Sequence, residues 1–197
     1  MKYYFSSNRY SFIKDTVRSN EFNDSSFVIL PGGADISPSL YNSKNVATRG
    51  INQHLDYIQW TLLGKAHEEN KFIIGICRGA QMITAYNGGK LIQDVTGHFG
   101  EHEITFKNGD TCMVTSCHHQ MCYPFNLPNE NYDVLAWSTE SRSDHYYSDG
   151  LENPPYEPEV IWYPKTKMLA IQGHPEWMNN DDKFIKIINN IINYYAN

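Results

Sequence analysis

The stretch Phe72-Ile73-Ile74-Gly75-Ile76-Cys77-Arg78-Gly79 constrains the fold of this chain more than any other. Its first five residues are apolar without alternation, the pattern of a parallel strand buried on both faces. Gly75 and Gly79 bracket a cysteine and permit a sharp turn that larger side chains would obstruct. Gly79 to Asn87 then offers small and apolar residues suited to a packed helix, closed by Gly88-Gly89. A buried strand, a sharp turn and a helix within a dozen residues predict an α/β architecture. Phe27-Val28-Ile29-Leu30 has the same compact apolar character and stops at Pro31-Gly32-Gly33, which must turn.

Other segments read more plainly. Tyr3-Tyr4-Phe5 predicts a first strand, and Tyr10 to Asn20 a helix with Phe12, Ile13 and Val17 on one face. Residues 35–50 look irregular, and His54 to Glu69 has helical spacing. In the second half, Glu103–Phe106 and Thr111–Thr115 flank Asn108-Gly109 as a hairpin. Asp133–Ser138, Glu159–Tyr163 and Met168–Gln172 predict further strands, and residues 139–158 a polar surface loop. Asp181 to Tyr195 predicts a closing amphipathic helix. Asp181 and Asp182 suit its N-terminal dipole, and Phe184, Ile187, Ile188 and Ile191 form its buried stripe.

A chain of 197 residues suits one domain over 1–197 with a full core. Hydrophobic residues at 41% against charged residues at 19% place it among globular proteins. A net charge of −6 without a basic cluster argues against nucleic acid as a partner. No run of 18 apolar residues predicts a membrane span. The first residues lack the long apolar region of a secretory signal, so the expected location is the cytoplasm, with all four cysteines reduced.

Three stretches carry chemistry. Cys77, in a strand-to-helix bend, would hold its sulfur clear of the backbone, at a helix N-terminus that favours thiolate. The Arg78 amide would point at an oxyanion formed by attack. Alone, this pattern also fits a packing cysteine. Gln172-Gly173-His174-Pro175-Glu176-Trp177 follows an apolar strand. Residues i and i+2 of an extended chain point the same way, so Glu176 can lie beside His174 as the acceptor that orients a base. Gly32-Gly33 exposes backbone N–H groups that could supply a second oxyanion donor. Cys112, Cys117 and Cys122 recur every five residues beside His118 and His119, donor types that zinc prefers. Their spacing is not that of a zinc ribbon or finger, and packing thiols around a loop are the preferred reading. His54, His67, His98, His102 and His145 sit in polar surroundings and read as exposed.

Together these stretches resemble the class I glutamine amidotransferase superfamily, in its γ-glutamyl hydrolase-like branch, peptidase family C26. The branch's Gly-Ile-Cys-Arg-Gly-x-Gln is found at 75–81, its Gly-Gly-x-Asp-x-x-Pro-x-x-Tyr at 32–41 and its Gly-Gly-x-Leu-x-Gln-Asp at 88–94. Its Asn-Ser-x-His-His-Gln appears as Thr115-Ser116-Cys117-His118-His119-Gln120, and its His-Pro-Glu-Trp at 174–177. The resemblance implies a flavodoxin-like three-layer α/β sandwich, with a mostly parallel central sheet and antiparallel strands added in the C-terminal half. It implies Cys77 as nucleophile, His174 as base and Glu176 as orienter, with oxyanion donors from the amides of Gly33 and Arg78. Gln81, Ser116 and His118 would hold the glutamyl part of a small γ-glutamyl substrate. The expected course is attack on the γ-carbonyl, release of an amine or ammonia, and hydrolysis of a glutamyl thioester, with no metal or organic cofactor. Two enzyme readings stay open: an independent hydrolase, or a glutaminase passing ammonia to a separate synthetase chain. A non-catalytic binding module ranks third, since all three triad members are present. Thr115 departs from the usual Asn, and the acidic residues usual after the Tyr41 region are altered. Only about one βα unit fits ahead of Pro31, so one sheet edge is expected to be trimmed, or covered by a partner chain or a second copy.

Overall fold

A computed structural model describes residues 2–5, 12–13, 17–19 and 21–196. Strands β1 (Lys2–Phe5), β2 (Val17–Ser19) and β3 (Phe27–Leu30) lead to helix α1 (Gln53–Glu68), strand β4 (Phe72–Ile76) and helix α2 (Arg78–Tyr86). Next come β5 (Lys90–Ile92), β6 (Asp94–Val95), β7 (Phe99–Phe106), β8 (Thr111–Cys117) and β9 (Met121–Tyr123). The chain continues through β10 (Asp133–Ser138), β11 (Tyr146–Tyr147), β12 (Pro158–Tyr163) and β13 (Met168–Ile171) to helix α3 (Lys183–Ala196).

One nine-stranded sheet has the order β2-β1-β3-β4-β13-β12-β10-β7-β8. Pairings from β2 to β13 are parallel. Those from β13 to β8 are antiparallel. The sheet is therefore parallel where the amino-terminal strands meet β13, and antiparallel where the C-terminal half extends it, as the resemblance implies. Two small ribbons, β5 with β9 and β6 with β11, lie outside it.

The apolar runs do not alternate because both faces of the sheet are covered. Phe27, Ile29, Ile74, Leu169 and Ile171 face one core with Phe184, Ile185, Ile188 and Ile192 of α3. Val28, Leu30, Ile73, Met168 and Ala170 face a second core with Leu63 and Ala66 of α1 and Ala80, Met82 and Ile83 of α2. The period of two thus sorts each strand between two helical layers. This is the flavodoxin-like sandwich expected. In α3 the fully buried face is Phe184, Ile185, Ile188 and Ile192, while Ile187 and Ile191 lie half-buried at its edge.

Two expectations change. Val17 belongs to a strand, because Val17–Ser19 pairs in parallel with β1. Phe12 and Ile13 are buried in the α3-side core, and the rest of the helix expected over 10–20 lies outside the described residues. The loop over 139–158 contains β11, held by pairing to β6.

Helix α1 begins at Asn52, whose side chain accepts from the Leu55 amide at 3.0 Å. Gly64, inside this helix, has no neighbour within 4 Å of where a Cβ would sit. Gly64→Ala should therefore stabilise the protein by about 0.5–1 kcal/mol, because it removes backbone freedom from the unfolded chain without a clash. Urea denaturation would register this as a higher midpoint at unchanged slope.

Candidate active site

Strands β3, β4 and β13 are adjacent and parallel, with Leu30 opposite Gly75 and Ile76 opposite Ile171. Each ends at one of the sequence's three chemical turns. Pro31-Gly32-Gly33 follows β3, Cys77 follows β4, and Gln172-Gly173-His174 follows β13. Ligand sites of open α/β sheets gather beyond the carboxyl ends of strands, and all three turns lie there.

The bend at Cys77 is a backbone outlier, with φ 49° and ψ −105°. A non-glycine residue at such angles is strained by about 1–3 kcal/mol and persists because its surroundings fix it. The Cys77 amide donates to the Ile171 carbonyl at 2.8 Å, and the Gln81 amide donates to the Cys77 carbonyl at 3.1 Å. The glycines permit the close packing behind this turn. A Cβ on Gly75 would fall 2.3 Å from the Gly79 carbonyl oxygen, and one on Gly79 would fall 2.3 Å from the Leu30 carbonyl oxygen.

Cys77 is 6% exposed, and its thiol donates to the Cys117 carbonyl at 3.9 Å. Burial pushes this thiol well above its ordinary pKa, against the opposing effect of the Arg78 N–H on the sulfur. The resting sulfur is thus a thiol at neutral pH, and any reaction at sulfur needs a base to take its proton. Alkylation of Cys77 by iodoacetamide should accordingly climb from pH 7 to 9 without levelling off. A rate already flat at pH 7 would mean a preformed thiolate.

His174 is 5% exposed, and its Nδ1 donates to Glu176 Oε1 at 2.6 Å. That bond commits Nδ1 to the carboxylate and leaves Nε2 as the nitrogen on the other side of the ring. Two further contacts hold His174, one on its ring and one on its backbone. Trp177 stacks on the ring at 3.7 Å between centroids and 4° between planes, and the His174 amide donates to the Thr115 carbonyl at 2.7 Å. Thr115, which departs from the branch's Asn, makes this contact through its backbone, so the contact survives the change of side chain. Gly32 lies between His174 and Cys77. A Cβ there would sit 3.0 Å from His174 Cε1 and 3.6 Å from Cys77 Cβ. The imidazole and the thiol-bearing carbon therefore flank one small gap at Gly32.

The other expected site residues divide. The Arg78 amide faces the sulfur, and Gly33 lies against the Arg78 side chain, since a Cβ on Gly33 would be 3.1 Å from Arg78 Cδ. Gln81 is buried and donates to the Gln120 carbonyl at 3.1 Å. Ser116 is buried and its Oγ has no hydrogen-bond partner. His118, expected to face a substrate, points inward instead. Its Nδ1 bonds the Gln120 carbonyl at 2.9 Å and its ring stacks on His98 at 4.6 Å.

Several supporting residues escaped the sequence reading. The Arg78 guanidinium is fully buried and pairs with Asp56 and Gln59 of α1. Burial pushes the Asp56 carboxyl up and the Arg78 guanidinium down from their ordinary pKa values, and each charge offsets the other's cost. This pair ties the first turn of α2 to α1. Gln93 is fully buried and stitches down the irregular segment after Tyr41: its Oε1 accepts from Val46 and Ala47, and its Nε2 donates to Lys44. Asp35, Asp94, His119 and His145 form a half-exposed polar cluster. His119 bridges Asp35 and Asp94 at 2.9 Å each, and His145 reaches Asp94 at 2.7 Å. The expectation of exposed histidines fails at His98 and His102, which are 0% and 2% exposed among carboxylates. All four cysteines are free, and Cys117 alone of them is exposed.

The fold, with a cysteine at the strand-to-helix bend and a His-x-Glu turn on the neighbouring strand, is that of the class I glutamine amidotransferases. A GMP synthase component from Thermoplasma acidophilum shares the architecture, with a TM-score of 0.65, 18% identity, and coverage of 100% of this chain and 94% of that one. Residues 22–121 match the Peptidase C26 family model. The glutamine amidotransferase-like protein YvdE of Lactococcus lactis is 30% identical over 82% of this chain and 70% of its own length. A γ-glutamyl-CDP-amidate hydrolase of Campylobacter jejuni is 37% identical over 40% of this chain and 36% of its own length. The chain belongs to the Peptidase C26 family of glutamine amidotransferase-like proteins. Among the described residues no helix is long and apolar enough to cross a membrane.

Proposed function

We propose that the protein hydrolyses a γ-glutamyl amide bond through a cysteine-linked glutamyl thioester. The observation that carries this reading is the gap at Gly32, with Cys77 on one side and the Glu176-bound imidazole of His174 on the other. A turn about the Cys77 side chain brings Sγ from the Cys117 carbonyl toward His174. Nε2 takes the thiol proton as sulfur adds to the γ-carbonyl, and the amides of Arg78 and Gly33 receive the oxyanion. The protonated imidazole then gives its proton to the leaving nitrogen. A water molecule, deprotonated by the same imidazole, cleaves the thioester and frees glutamate. Ser116, with an unpartnered hydroxyl, and Gln81 are the candidates for holding the glutamyl end.

The relative from Campylobacter jejuni is named for a γ-glutamyl conjugate, which supports a glutamyl acyl group as the shared part of the substrate. The half-exposed cluster of Asp35, Asp94, His119 and His145, which starts two residues beyond Gly33 in the chain, is the candidate for contact with the departing amine. Incubation with L-glutamine and with a panel of γ-glutamyl amines, followed by assay of free glutamate, tests the reading. Release from a conjugate in preference to glutamine supports an independent hydrolase. Release from glutamine only when a synthetase chain is added would favour an ammonia-delivering role. Release from neither would defeat both.

Glu176→Gln tests the orienting role. A glutamine amide can donate to His174 Nδ1 and hold the wrong tautomer, so kcat should fall by about 10²–10⁴-fold with KM little changed. Unaltered kcat in this variant would remove Glu176 from the mechanism.

A further inference from the structure

Next to the end of β8, which carries Ser116 and Cys117, lies a cluster that the proposed hydrolysis does not use. His98 (ahead of β7), His102 (β7), His118 (after β8), Glu157 (ahead of β12) and Glu159 (β12) are all at most 4% exposed. One ligand atom from each of His98, His118 and Glu159 lies within 4.8 Å of the others. A buried carboxylate and two buried imidazoles are costly to desolvate unless fully partnered. Here the partnering is incomplete. His98 meets Glu157 Oε2 at 3.2 Å and Glu159 Oε1 at 3.3 Å without an aligned hydrogen bond, and His118 Nε2 and Glu159 Oε2 have no hydrogen-bond partner.

We propose that His98, His118 and Glu159 bind a divalent transition metal, with zinc the best match. Two imidazoles and one carboxylate are a protein donor set that zinc accepts. Ligand atoms on a zinc tetrahedron lie about 3.4 Å apart, as follows from zinc-to-ligand bonds of about 2.1 Å. In the structure Glu159 Oε1 is 3.3 Å from His98 Nδ1 and 3.9 Å from His118 Nε2, so a small inward movement completes the site. The outer contacts are those of metal-bound histidines, whose second nitrogen is held by an acceptor. His118 Nδ1 is on the Gln120 carbonyl at 2.9 Å, which leaves Nε2 as the ligand. His98 Nε2 faces Glu157 Oε2 at 3.2 Å, which leaves Nδ1 as the ligand. His102 Nε2 is 3.0 Å from Glu159 Oε1 and orients that carboxylate. The metal would join the loop after β8 to β12. His118 is next to Cys117, whose carbonyl faces the Cys77 thiol, so an occupied site would brace that loop.

The full chain, stripped with a chelator and then titrated with Zn²⁺ against a chromophoric competitor, should bind one zinc. With zinc at about a hundred times its Kd, the thermal midpoint should rise by roughly 5–10 °C. Glu159→Gln and His118→Asn should each weaken binding by about 100-fold or more. Asp94→Asn, in the half-exposed cluster, and Cys77→Ala should leave zinc affinity unchanged. Cobalt in the unmutated chain should give the visible bands of a four-coordinate nitrogen and oxygen site without a thiolate charge-transfer band, a result independent of whether the buried variants fold. The proposal is overturned if the unmutated chain retains no zinc at micromolar concentration. It is equally overturned if cobalt reports thiolate, or if affinity falls with Asp94→Asn or Cys77→Ala but not with Glu159→Gln.

Discussion

Cys77→Ala should reduce glutamate release by at least about 10⁴-fold, to the assay background, while the protein stays folded. The side chain removed is small and sits at the end of a strand, so little core is lost. What disappears is the atom that would form the proposed thioester. Cys117 presents its carbonyl to the Cys77 thiol, and its side chain is exposed. Cys77→Gly should be equally inert, but more stable than Cys77→Ala. The backbone at φ 49° and ψ −105° suits glycine and strains alanine. A difference of about 1 kcal/mol or more between these two variants, read from denaturant midpoints, would show that the bend is held against its own conformational preference. Equal stability would mean that the bend relaxes without the thiol.

Gly79→Ala carries the largest stability effect. A Cβ there would lie 2.3 Å from the Leu30 carbonyl oxygen and 2.9 Å from Leu30 Cβ. Backbone atoms of β3 cannot rotate away as a flexible side chain would, so helix α2 must lift from the sheet. The loss should reach or exceed the top of the ~1–3 kcal/mol range typical of overpacking. Because Cys77 begins this helix, activity should fall with it, even under conditions where the variant is folded. Gly75→Ala should behave alike, since its Cβ would meet the Gly79 carbonyl at 2.3 Å. Gly64→Ala, in open space on α1, is the control whose sign should be opposite.

The sequence foretells these sites unevenly, for physical reasons. The three chemical turns are legible because their demands are local: glycine where backbones touch, cysteine at the bend, and histidine with glutamate two residues on. The strands β3, β4 and β13 are legible because burial on both faces leaves unbroken apolar runs. The ribbons made by β5, β6, β9 and β11 have two or three residues per strand, too few for any period to show. Val17 is misassigned because pairing with β1, a long-range contact, decides its conformation. His98 and His102 look like surface residues because the segment around them is polar. Their burial depends on Glu157 and Glu159, which arrive much later in the chain. The available signal is Glu159 itself: a carboxylate in the otherwise apolar strand Pro158–Tyr163 must have partners somewhere. The Arg78 pairing with Asp56 is similarly hidden, because an arginine in a sharp turn gives no hint of which helix will receive it.

Attack by a buried thiol that only a recognised substrate can reach is testable here because Cys117 is exposed. An indiscriminate electrophile such as iodoacetamide should modify Cys117 faster than Cys77 at neutral pH, because Cys77 is buried and protonated. A diazo-ketone analogue of glutamine should invert this order. Peptide mapping should then place the label on Cys77, with protection by a γ-glutamyl substrate and strong slowing by Glu176→Gln. Label on Cys117 alone, insensitive to both, would contradict the nucleophile, its base and the site around them together.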